Sequence, residues 1–154
     1  MVQSRPGRVS MDGEQMNSTP TRIDPQQMAR PGGHYSHATV ANGFVFVSGQ
    51  LPIRPDGTKL TESSFDDQVE QVLANVKAAL EASGSSVDKL VQVRVYVDTL
   101  ENWPGFNAIY AQWAGSAKPS RAVVPTGPLH FGFKVEVEAV AICHAGLDPA
   151  STVA

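Results

Sequence analysis

The residues best suited to chemistry in this 154-residue chain lie in its last regular stretch, residues 120–142, SRAVVPTGPLHFGFKVEVEAVAI. Arg121 opens it, Ala122-Val123-Val124-Pro125 follows, and past a turn Val135, Glu136, Val137 and Glu138 alternate. Alternation along a strand puts the β-branched residues on one face and the carboxylates on the other. A guanidinium and one or two carboxylates at the ends of neighbouring strands can hold a small anion beside a base. The same residue types have plainer uses. Arg121 suits an ion pair between subunits, and Glu136 and Glu138 suit a solvated strand face. One carboxylate can also be catalytic while the other is its structural partner.

Other chemistries are poorly supplied. The chain has no phosphate-cradling glycine loop, dinucleotide fingerprint, HExxH motif or paired-cysteine zinc spacing. His34 and His37 lie three apart on a strand or turn, and a bare pair is a weak metal signal, so no metal and no cofactor are expected. The single cysteine, Cys143, excludes an intrachain disulfide framework and reads as a small buried hydrophobe at a strand end. A net charge of −3 without a basic stripe weighs against a nucleic-acid partner. No apolar run approaches the roughly 20 residues that span a bilayer. Arg5 and Arg8 lack the apolar core of a secretory signal, which leaves the cytoplasm as the expected compartment.

The elements that must position these groups follow from periodicity. Residues 1–31 are rich in Gln, Ser, Pro, Gly and Arg and read as a flexible tail in which Met11 and Met16 could each be a start. Residues 32–144 read as one domain and residues 145–154 as a second tail, with order beginning near Gly33. Asn42-Gly43 signals a hairpin into the apolar strand Phe44-Val45-Phe46-Val47. Phe65, Val69, Val72, Leu73, Val76 and Leu80 form one helical stripe across residues 61–83, with Ser64 as N-cap and Gly84 as the left-handed stop. Residues 87–98 alternate as a long strand, and Pro104 starts a second helix that Gly115 ends, with Trp103 and Trp113 in its core or at its edge. The order β-β-α-β-α-β-β implies an α+β sandwich with both helices on one face of a mixed sheet. The other sheet face is apolar and aromatic enough to meet a partner subunit, so a homo-oligomer is expected.

The stretches GHYSHATVANGFVFVSGQLPI, LANVKAALEASGSSVDKLVQVRVYVDTLENWPGFNAIYAQW, PSRAVV and KVEVEAVAI resemble the Rid family. These are the YjgF or reactive-intermediate deaminase proteins, also labelled endoribonuclease L-PSP. The resemblance implies a chorismate-mutase-like fold assembled as a homotrimer, with sites in the clefts between subunits. It also implies cofactor-free hydrolysis of small enamine or imine acids, such as 2-aminoacrylate, to 2-keto acids and ammonia. Carried over residue by residue, Arg121 takes the substrate-carboxylate position and Glu136 the water-activating position. Tyr35, Ser48 and Asn107 match the remaining pocket motifs, and the backbone of Val123 would bond the substrate nitrogen.

The chain departs from the pattern in three places. Val123 stands where many members have cysteine, His34 replaces a proline, and the turn from Gly127 to Phe133 is unusually aromatic, which would favour a bulkier or more apolar substrate. Ring packing, a strand-end bond and a helix-bridging amide are the alternative readings of Tyr35, Ser48 and Asn107. His37, His130 and His144 receive no role. The rival functions are a non-catalytic trimer that binds a carboxylate metabolite, and an RNA-cleaving enzyme.

Overall fold

The computed structural model describes residues 19–143. A six-stranded mixed sheet runs in the order β1-β2-β3-β6-β4-β5. Its strands are β1 (Thr21–Ile23), β2 (Ala38–Ala41), β3 (Phe44–Gln50), β4 (Leu90–Val97), β5 (Ser120–Pro125) and β6 (Val135–Ile142). Helix α1 (Phe65–Ala82) links β3 to β4, and α2 (Trp103–Ala114) links β4 to β5. β4 and β5 are parallel, whereas β6 runs antiparallel to both of its neighbours, β3 and β4. The last strand therefore fills the centre of the sheet, and the expected α+β sandwich is observed.

Local chemistry accounts for the elements. The α1 stripe buries Val69, Val72, Leu73, Val76 and Leu80 against Val45, Val47, Val93, Val95, Val135 and Val137 of the sheet. Each such side chain stabilises the fold by about 1.5–3 kcal/mol on removal from water. The Ser64 hydroxyl caps α1 by accepting from the Asp67 N–H at 3.1 Å. Asn42 and Gly43 both take positive φ, 51° and 79°, as a tight hairpin between right-twisted strands requires.

One boundary differs from the sequence reading. Residues 19–31 are part of the domain rather than a tail: Thr21, Arg22 and Ile23 pair with Val40, Thr39 and Ala38, and Met28 is buried. The segment lacks periodicity because hydrogen bonds hold it as much as apolar contacts do. Asp24 accepts from the His37 N–H at 2.9 Å, and the Ala29 carbonyl lies 2.7 Å from His37 Nε2. Residues 1–18, His144 and the proposed tail 145–154 lie outside the described residues.

Candidate functional site

Glu136 sits on central strand β6, where Val135 and Val137 point into the core and Glu136 and Glu138 point to the face without helices. The two carboxylates are used differently. Glu138 accepts from Arg94 and from the Tyr96 hydroxyl, both at 3.1 Å. Glu136 has no hydrogen bond or ion pair of this kind among the described residues, and it is half-buried. Its carboxylate lies so close over Gly49 that a Cβ on that residue would collide with Oε1. Burial pushes its pKa above the ordinary carboxylate value; His130 opposes this, and the charge of Glu138 adds to it.

Glu136 faces a cavity of about 1030 Å³ whose walls include Tyr35, Ser48, Lys59, His130 and Phe131. The Ser48 hydroxyl donates to the Ser36 carbonyl at 2.6 Å, which fixes the chain next to Tyr35. Tyr35 is 49% exposed, and its hydroxyl accepts from the Gly32 N–H at 3.3 Å. His37 stands behind them, buried, with both ring nitrogens occupied. Gln50 Nε2 lies 3.3 Å from Nδ1 and the Ala29 carbonyl 2.7 Å from Nε2. His37 is thus a brace for the N-terminal segment rather than a free ligand. Among the described residues no group of three or more His, Cys, Asp or Glu is arranged for a metal ion.

Arg121 belongs to a second cluster. It pairs with Val93 across the parallel β4–β5 ladder, so its side chain shares the helical face with that core residue. Asn107 on α2 accepts from Arg121 Nη2 at 3.0 Å. The guanidinium carbon lies 4.8 Å from the centre of the Tyr110 ring and 6.0 Å from that of Phe106. No carboxylate among the described residues comes within ion-pair distance of it. Burial pushes the Tyr110 hydroxyl up in pKa, and the Arg121 charge opposes this. That hydroxyl and Trp113 Nε1 are buried without hydrogen-bond partners. Val123 packs partly against the core two residues further on, and β5, as an edge strand, has one side free of backbone pairing among the described residues.

The six candidates therefore fall into two groups: Glu136, Tyr35 and Ser48 around the cavity, and Arg121, Asn107 and Val123 along α2. β5 and β6 are not neighbouring strands, as the sequence reading has them, because β4 lies between them. Their charged groups also emerge on opposite faces of the sheet. Within one chain they cannot grip one small molecule. His130 and Phe131, the first without a role in the sequence reading, reach the Glu136 cavity from the aromatic turn that was the only sign of them.

Comparison with known proteins gives a consistent result. The family profile described as "Endoribonuclease L-PSP" matches residues 26–143. Protein HMF1 of Saccharomyces cerevisiae is 38% identical over 126 residues, covering 82% of this chain and 97% of that protein. The chloroplastic Reactive Intermediate Deaminase A of Arabidopsis thaliana is 35% identical over 109 residues, covering 71% of this chain and 58% of that protein. The crystal structure of Escherichia coli TdcF with bound serine superposes with a TM-score of 0.75 at 29% identity, covering 80% of this chain and 99% of that one.

Proposed function

The chain belongs to the endoribonuclease L-PSP family, the YjgF or Rid proteins, and from that premise we infer that it hydrolyses 2-imino acids to 2-keto acids and ammonia. The observation that carries this reading is Glu136: a half-buried carboxylate with a raised pKa, unpaired among the described residues, facing a cavity. A carboxylate that is not held in an ion pair is free to take a proton from water. A relative named as a reactive intermediate deaminase, and a structural neighbour holding serine, support a small amino-acid-like substrate.

The reaction needs the substrate carboxylate fixed while water attacks C2. Arg121 suits the first task, since its planar fork can pair with a carboxylate through two parallel charge-assisted bonds. Asn107 and the Tyr110 ring hold that fork in place. Glu136 takes the proton as the water oxygen bonds to C2 and the π pair moves to nitrogen. It returns that proton to the nitrogen to give the amino alcohol, then takes the hydroxyl proton as the carbonyl forms and passes it to the nitrogen as the C–N bond breaks and ammonia leaves. Much of the acceleration would come from orientation.

Because the two groups emerge on opposite faces, this chemistry requires Glu136 of one subunit and Arg121 of the next. A homotrimer with shared sites meets that requirement. Phe44, Phe46, Val124 and Ile142, each 41–47% exposed, supply apolar surface for such an interface. RNA cleavage is less well served, since Asp56, Glu136 and Glu138 offset Arg30 and Lys59 around the cavity and leave no basic track for a phosphate backbone among the described lining residues.

The test is a coupled assay in which an amino-acid oxidase generates fresh imine while keto acid and ammonia are followed. Release faster than the spontaneous rate is expected. Release at the spontaneous rate, from protein that binds 2-keto acids, would identify a binding trimer instead.

A further inference from the structure

One wall of the Glu136 cavity has no task in imine hydrolysis itself. Phe131 is 61% exposed, although exposing an aromatic ring forgoes the burial that usually stabilises it. Its backbone sits at φ 58° and ψ 12°, a left-handed conformation that side-chain-bearing residues other than Asn and Asp seldom adopt. Neighbours hold the ring in place. Phe133 meets it edge-on at 5.9 Å and 80°, and Lys59 Nζ lies 4.9 Å from its centre. Lys59 pairs in turn with Ile53 through an isolated bridge. The buried Asn75 amide donates to the carbonyls of Leu51 and Ile53 at 3.0 and 2.9 Å. The wall is thus preformed, and a ligand would not have to order it.

The cavity, at about 1030 Å³, lies at the upper end of the roughly 300–1,000 Å³ usual for sites that take drug-sized ligands. In a shared site the neighbouring subunit that brings Arg121 takes up part of this volume, so the character of the wall rather than its size bears on substrate choice. Asp56, Glu136 and Glu138 on its walls disfavour a second carboxylate on the substrate. An exposed ring beside them favours an apolar, planar group.

We propose that this wall selects 2-imino acids with an aromatic side chain, and that Phe131 is the specificity residue against which the substrate ring packs. The proposal rests on the deaminase reading. The reaction is unchanged: an aryl-CH2-C(=NH)-COO⁻ takes up water and yields the aryl-CH2-CO-COO⁻ keto acid and NH3, with no oxidant or reductant.

The test compares kcat/KM for imines generated from phenylalanine and from alanine, in the parent and in Phe131→Gly. Glycine accepts a positive φ, so the ring is removed while the turn is kept. A parent preference for the phenylalanine imine is expected, and in Phe131→Gly that preference should fall about three- to tenfold, as for loss of one aromatic pair. Calorimetry with phenylpyruvate and pyruvate should show the same shift in relative affinity. Should Phe131→Gly melt as an unfolded chain, Phe131→Leu, which keeps bulk without a ring, reads the same ratio. A parent with no preference, or a preference unchanged in the folded variant, overturns the proposal and leaves the deaminase reading intact. A parent that accelerates neither imine defeats both.

Discussion

Glu136 and Arg121 are positioned by opposite means. Glu136 stands on the central strand, paired on both sides, and is set by sheet register and by the bare backbone of Gly49 beneath it. Arg121 stands on the edge strand and is set by side chains of a helix, through the Asn107 hydrogen bond and the rings of Tyr110 and Phe106. The carboxylate is placed by where it lies in the fold, and the guanidinium by what it touches. If the site is shared between subunits, the edge position matters most: β5 lies at the margin of the sheet, whereas a group on β6 can act only where the cavity lets substrate in.

If both clusters serve one reaction, each should fail in its own way. The largest effects belong to the two charges. Arg121→Ala should cost about 10²–10³-fold in kcat/KM, and Glu136→Gln about 10²–10⁴-fold, mainly in kcat. Steady-state kinetics on folded variants of unchanged assembly check this, and an Arg121→Ala enzyme as fast as its parent would detach the cation from the chemistry. Smaller effects belong to the supports. Asn107→Ala frees the guanidinium and should raise KM about tenfold, the scale of a hydrogen bond to a charged group. Gly49→Ala forces the Glu136 carboxylate aside and should instead lower kcat. Equal effects of both on KM and kcat would erase the distinction between the clusters.

The smallest effect is on stability and has a definite sign. Burial raises the Glu136 pKa in the folded state above its unfolded value, so the folded chain binds the extra proton. Its contribution is therefore fully present below the ordinary carboxylate pKa and is lost as pH rises through the raised value. On the proposed mechanism activity runs the other way, because a general base must be ionised. Glu136→Gln should melt higher than the parent at neutral pH, with the gain shrinking in acid, while the acid limb of the parent's kcat/KM profile follows the raised pKa. Melting curves across that range decide it, and a variant less stable at neutral pH would contradict the burial argument.

Much of this was legible in the sequence, and the gaps have physical reasons. The α1 stripe and the alternation of β6 predict their own faces, because both depend only on local periodicity. That is how Glu136 and Glu138 come to share a side. Strand adjacency is not local: β5 and β6 follow each other in the chain, yet β6 inserts between β3 and β4. The expectation of neighbouring strands fails for that reason. β1 escaped notice because three residues are too few to show a period. Alternation alone does not separate Glu136 from Glu138, which the family resemblance does; that Arg94 and Tyr96 engage Glu138 is a contact between strands that alternation cannot announce. His130 reaches Glu136 by way of a turn with positive φ at Phe131 and Gly132, a geometry that residue types alone do not announce.

The most direct measurement mixes two crippled subunits. Arg121→Ala retains Glu136 and Glu136→Gln retains Arg121, and each alone should be nearly inactive. If every site takes one group from each of two adjoining subunits, co-assembly of equal amounts into trimers should leave about one site in four intact, with about a quarter of parent activity. Mixed trimers, verified by sedimentation, that stay at the background of the separate variants would contradict a shared site and with it the assignment of both charges to one reaction.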